Sequence, residues 1–186
     1  MLDLLNLPRL ISSEVCLTLG FIMIDLNTIY LILGGNLGDR KANIDEALSR
    51  IQISLGQILK VSKYYQTAAW GNTQQPDFLN LACVVTTDKN ADECLNILLY
   101  IEKSLGRVRL EKWGARLIDI DILYFNNDII ATNNLTVPHP EIANRKFVLV
   151  PLCDIAPGFV HPQLLLTHQQ LLAQLNDPLA VLEYRG

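Results

Sequence analysis

An α+β sandwich in β-α-β-β-α-β order, with a mostly antiparallel sheet and helices packed on it, is the fold this sequence predicts. Three observations lead there. Four short runs rich in β-branched and aromatic residues are set apart by turn signals. Two apolar stripes at helical spacing follow the first and third of those runs. Half of the 186 residues are hydrophobic and 18% are charged, which is enough to bury one sizeable core.

The first strand is Thr28 to Leu33, a run of β-formers that ends at Gly34-Gly35. Asn36 or Asp39 caps the next helix, whose buried stripe is Ile44, Ala47, Leu48, Ile51 and Leu55, closed by Gly56. Ile58 to Thr67 reads as the second strand. A polar loop spans Gly71 to Pro76, and Phe78 to Thr87 is the third strand. Asn90 and Glu93 form a capping-box pair. They open a helix with Cys94, Leu98, Ile101 and Leu105 on one stripe, stopped by Gly106. Leu117 to Phe125 is the fourth strand. A Pro-His loop, a helix after Asn144 and a Pro-punctuated tail complete the chain. This is the split βαβ, ferredoxin-like arrangement, with two helices on one face of the sheet. Its other face requires a cover of loops or ligand.

Residues 1–27 stand apart. Their apolar run is interrupted by Ser12, Ser13 and Glu14, too broken for a membrane span. Only Arg9 provides a basic start, and no small-residue cleavage pattern follows. We read them as an N-terminal extension, with Met23 the expected natural start and residues 28–186 as a single domain. A net charge of -4 argues against a nucleic-acid grip, which needs a basic footprint. Cys16, Cys83, Cys94 and Cys153 form no CxxC pair and are expected as reduced thiols. The chain is expected to be a cytoplasmic monomer that engages neither nucleic acid nor membrane.

The sharpest chemical feature is Asp119-Ile120-Asp121. Alternate residues of a strand share a face, so the two aspartates point one way, with Cα atoms about 6–7 Å apart. Ile118, Ile120 and Ile122 point the other way. Two like charges on one face repel unless a cation lies between them. Either the carboxylates are simply wet or a pair of Mg2+ ions sits there, as in a two-metal clamp for displacement at phosphorus. The strongly apolar strand and the basic loop before it favour the ions. That loop carries Arg107, Arg109, Lys112 and Arg116 within ten residues, and guanidinium groups match phosphate oxygens bidentately. Arg145, Lys146 and His139 add cations from another segment. Phe78 and Asn80 share a face of the third strand, and Ala82 continues it with a small residue. An aromatic plane beside an amide suits a flat heterocycle, with Thr67 and Trp70 supplying the rest of the pocket. Neither GxxxxGK[ST] nor GxGxxG is present, so a nucleotide would be held by arginines and metal. An RNA-binding module of the same strand order would need a basic surface that this chain lacks. A metabolite sensor would explain Phe78 and Asn80 but not the arginine loop joined to the aspartates.

The run Lys112 to Leu123, KWGARLIDIDIL, resembles the motif of the 6-hydroxymethyl-7,8-dihydropterin pyrophosphokinases. LGGNLGDR near the start, QPDFLN at 75–80, GRVR at 106–109, LTVPH at 135–139 and FVLVPL at 147–152 resemble that family in the same order. The resemblance implies the ferredoxin-like fold, ATP and the hydroxymethyl pterin as substrates, and AMP as product. It further implies two Mg2+ ions on Asp119 and Asp121, and Arg107, Arg109, Trp113, Arg116, His139 and Arg145 around the phosphates. Thr67, Trp70, Phe78, Asn80 and Phe147 would form the pterin pocket. Glu102, Ile122 and Thr136 would line the nucleotide side.

Overall fold

The computed structural model of the chain describes residues 25–68, 75–107 and 115–186. Strand β1 (Asn27–Gly35) lies between two antiparallel partners, β4 (Phe78–Thr87) and β5 (Asp119–Phe125). On its far side β4 pairs with β2 (Gln57–Val61) and then with β3 (Tyr65–Thr67). β3 in turn pairs with β8 (Val181–Glu183) near the C-terminus. A separate two-stranded ladder joins β6 (Ile130–Ala131) to β7 (Thr136–Val137). The helices are α1 (Arg40–Ser54), α2 (Ala91–Ser104), α3 (Lys146–Ile155) and α4 (His168–Gln174), with a 3-10 turn at Ile142–Asn144. This is the expected α+β, ferredoxin-like sandwich.

Local sequence accounts for the helix ends. Asp39, not Asn36, caps α1, accepting the Ala42 N–H at 3.0 Å. Asn90 and Glu93 close the reciprocal capping box of α2, which satisfies two otherwise orphaned donors. Gly106 ends that helix region with φ +87, a conformation open to glycine.

The second predicted strand is two strands. The break falls at Ser62, whose N–H donates to Ala82 O and whose hydroxyl accepts the Ala82 N–H, both at 2.9 Å. The side chain thus takes over one place in the ladder, and the backbone bends away. The far face of the sheet also differs from expectation. Ile44, Ala47, Ile51, Cys94, Leu98 and Ile101 pack against one face, as the two stripes require. The other face is covered over part of its area by α3 and α4, not by loops alone. Val148, Leu149, Leu152, Ile155 and Leu171 pack there on Ile32, Ala82, Val84, Leu123 and Tyr124. Ala82 therefore lies in a second core and leaves no space for a ligand.

β5 follows the alternation read from its sequence. Ile118, Ile120 and Ile122 belong to the α1/α2 core. A register shift opposite Tyr30/Leu31 then places Leu123 and Tyr124 together in the second core. Cys83 and Cys94 are buried free thiols and Cys153 is half-buried. Residues 1–24, with Met23 and Cys16, lie outside the described residues, and β1 begins at Asn27. No helix among the described residues is long and apolar enough to cross a membrane.

Candidate functional site

One row of the sheet organises the site. In β1, Gly34 pairs with Asn80 of β4 on one side and with Asp119 of β5 on the other. Two residues earlier, Ile32 pairs with Ala82 and Asp121. Cross-strand partners share a face, so the amide and both carboxylates come to the same side of the sheet. Gly34, having no side chain, leaves the space between them. A cavity of about 110 Å³ opens there, lined by Ile32, Gly34, Thr67, Ala68, Gln75, Phe78, Asn80, Arg116, Asp119, Asp121, Arg145 and Phe147.

At one end of the cavity Asn80 is 3% exposed, and its Nδ2 donates to Thr67 Oγ1 at 2.9 Å. That bond fixes the amide and leaves the rest of its capacity for a ligand. Phe78 and Phe147 supply aromatic faces, and the Arg145 guanidinium lies 5.8 Å from the Phe147 ring centroid.

At the other end stand the acidic residues. Burial, reinforced by the nearby Asp119 charge, pushes the Asp121 carboxyl up to about 6. Asp119 is held by two guanidiniums: Arg116 bonds its Oδ2, and Arg107 Nη1 is 2.5 Å from its Oδ1. Arg107 also pairs with Glu102, whose Oε1 accepts the Ile120 N–H at 2.7 Å. Burial lifts the Glu102 carboxyl to about 7, while the Ile120 N–H and Arg107 both hold it down.

Two carboxylates on one face, and no group of three or more His, Cys, Asp or Glu among the described residues, form a sparse hard-oxygen donor set. Such a set fits Mg2+, which is commonly held by one or two carboxylates plus substrate phosphates.

Of the residues singled out from sequence, Thr67, Phe78, Asn80, Arg116, Asp119, Asp121, Arg145 and Phe147 line the cavity. Arg107 and Glu102 adjoin it through Asp119. Ile122 packs in the α1/α2 core, on the opposite face of β5, and Thr136 is exposed on β7. His139 is not among the lining residues. Its N–H donates to Leu123 O, and burial lowers its imidazole pKa. Trp70, Arg109 and Trp113 lie outside the described residues.

Sequence reasoning missed Asn36. It is 3% exposed, and its Oδ1 accepts the Arg116 N–H at 2.8 Å. Its Nδ2 donates to Gln75 Oε1 and Pro76 O, both at 3.2 Å. One side chain thereby fastens the approach to β4 and the approach to β5 onto the end of β1. Its place directly after Gly34-Gly35 was the available signal. Gly35 is there because a Cβ would meet Leu117 O at 2.3 Å.

Comparison with known proteins agrees with this geometry. The family model for 7,8-dihydro-6-hydroxymethylpterin-pyrophosphokinase (HPPK) matches residues 30–157. The chain is 41% identical over 152 residues to the folic acid synthesis protein FOL1 of Dictyostelium discoideum, covering 82% of this chain but only 23% of that protein. It is 37% identical to the 2-amino-4-hydroxy-6-hydroxymethyldihydropteridine pyrophosphokinase of Synechocystis sp., covering 77% of this chain and 74% of the relative. The protein of the same name from Aquifex aeolicus is 41% identical, with 73% and 84% covered. Among solved structures, the wild-type Plasmodium falciparum HPPK-DHPS crystal structure matches 81% of this chain and 45% of its own. Its TM-score is 0.64 at 18% identity, a likeness of fold.

Proposed function

Because this chain belongs to the 7,8-dihydro-6-hydroxymethylpterin-pyrophosphokinase family, we propose that it transfers pyrophosphate from ATP to 6-hydroxymethyl-7,8-dihydropterin, releasing AMP, in folate biosynthesis. The observation that carries this reading is the Asp119–Gly34–Asn80 row, which brings an amide pocket and a carboxylate pair to one cavity.

The pterin lies between Phe78 and Phe147, with the Asn80 amide on its edge, an arrangement that stacks the ring and reads its donors and acceptors. Thr67 keeps the amide from turning. Arg107, Arg116 and Arg145 take the phosphate oxygens, with Arg109 by family resemblance. Asp119 and Asp121 would hold Mg2+, two ions by the same resemblance, and the bound ions supply charge neutralisation along the phosphate chain.

The hydroxymethyl oxygen attacks the β-phosphorus in line. The new O–Pβ bond forms as the bond from Pβ to the α-bridging oxygen breaks, AMP departs with those electrons, and the hydroxyl proton passes to an oxygen of the phosphate chain and on to solvent. The protein acts by positioning and electrostatic stabilisation, and no side chain has to serve as a strong base.

The test is product identity. With ATP, Mg2+ and the hydroxymethyl dihydropterin, AMP and a pterin diphosphate are expected in equal amounts. Formation of ADP, or no pterin-dependent nucleotide product, would overturn the reading.

A further inference from the structure

Asp119 already has cationic partners. Arg116 bonds one of its oxygens and Arg107 the other, while Arg107 also rests on Glu102. The side chains are poorly exposed: 3% for Glu102, 15% for Arg107, 21% for Asp119 and 23% for Arg116. Little water screens them, so the pairs are tight and breaking one without replacement is costly. A divalent cation approaching Asp119 meets two guanidiniums on the oxygens it would use.

We propose that Arg107 and Arg116 are resident counter-ions of Asp119, which keep the ligand-free chain from holding a divalent cation there and give up the carboxylate when a polyphosphate arrives. The inference rests on the reading of Asp119 and Asp121 as cation ligands. A phosphate chain offers the arginines a better bidentate partner than a single carboxylate already shared between them. Once they turn to it, Asp119 is free for the cation. Glu102 gives Arg107 a second seat. The Ile120 N–H fixes its Oε1 at 2.7 Å, so Arg107 stays beside the site after leaving Asp119. Cation and polyphosphate then strengthen each other's binding, and by linkage the effect is reciprocal.

Mn2+ is the probe, followed by its paramagnetic resonance signal on the full ligand-free chain. Arg116→Met is expected to tighten Mn2+ by roughly tenfold or more, as removal of a close charge pair allows. Arg107→Met is expected to tighten it as well. Arg40→Met removes an equal charge from a guanidinium that bonds the Asp77 carbonyl, and is expected to change Mn2+ affinity by less than about twofold, since solvent screens it. The double variant Arg116→Met/Asp119→Asn should lose the gain. Unchanged Mn2+ affinity in both Arg116→Met and Arg107→Met, or an equal gain in Arg40→Met, would overturn the counter-ion role. If Mn2+ bound to Arg116→Met is indifferent to both Asp119→Asn and Asp121→Asn, the reading of those aspartates as ligands fails instead.

Discussion

Gly34 faces Asn80 across the β1–β4 pair, and a Cβ placed on Gly34 would lie 2.4 Å from Asn80 Oδ1. The amide lies over a residue that must have no side chain. Asn80 cannot retreat by moving its backbone, because β4 is held by β1 on one side and β3 on the other. Gly34→Ala is therefore expected to swing the carboxamide and break its bond to Thr67. Such overpacking costs about 1–3 kcal/mol. Pterin KM should rise roughly tenfold or more while ATP KM stays within about twofold, given that 1.4 kcal/mol is tenfold. Steady-state kinetics with each substrate varied in turn would show it, and equal effects on both would refute it.

Asp119→Ala and Asp121→Ala are expected to lower turnover by a factor on the order of 10² to 10³, the scale of losing a major electrostatic contact in a transition state. Neither should unfold the chain, since both side chains border the cavity rather than the helix-packed core. Rates paired with circular dichroism make the check. Near-normal turnover in either variant would exclude that carboxylate from the chemistry.

Phe78→Ala removes an aromatic face and leaves the phosphate side untouched. Stacking of a flat heterocycle on such a ring contributes about 1–3 kcal/mol, so pterin affinity should fall roughly 10- to 100-fold. Calorimetry with pterin and with a non-hydrolysable nucleotide separates the two ligands. A matched loss for both would return Phe78 to a packing role.

His168 makes stability pH-dependent. It is fully buried, with Nδ1 2.7 Å from Ala156 O and Nε2 3.1 Å from the Tyr124 hydroxyl. Those partners assign the proton to Nδ1, and Tyr124 donates to Nε2. Tyr30 and Phe159 also face the ring, and His161, packed against Tyr124, adds its charge to the burial that lowers the pKa. Burial lowers its pKa to about 4, against about 6.5 in an unfolded chain. The unfolded state therefore binds more protons between those values. The stabilisation is complete above about pH 6.5 and is lost as pH falls toward 4, up to a few kcal/mol. Glu102 and Asp121, both raised, slope the other way, so the test is a difference. Denaturation midpoints at pH 7.5 and 5 should fall further for the natural chain than for His168→Gln. Identical falls would refute the assignment.

What was legible in the sequence was what periodicity and local capping encode. Phe78–Thr87 and the two capped helices rest on contacts a few residues apart, and the Asp119/Asp121 alternation needs only the strand's own geometry. The break at Ser62 was hidden because its cause lies in Ala82, 20 residues on. β8 was hidden for the same reason, since a three-residue strand is defined by its pairing with β3. α4 did carry a signal, the Thr167/Gln170 capping box, but its seven residues show too little periodicity to stand out. In the site, the cavity-lining pairs Asp119/Asp121 and Phe78/Asn80 were readable as same-face spacings. Asn36 was not, because its partners are 39 to 80 residues away.

β5 forms the rim of the sheet, where a strand's outward amides invite another chain to add itself. Glu102 takes the Ile120 N–H, and the His139 N–H takes the Leu123 carbonyl, so two points along that rim are already sealed. The carboxylate that seats Arg107 therefore also occupies one of the points at which an added strand would bond. Its loss would unseat Arg107 and open that point of the rim at once.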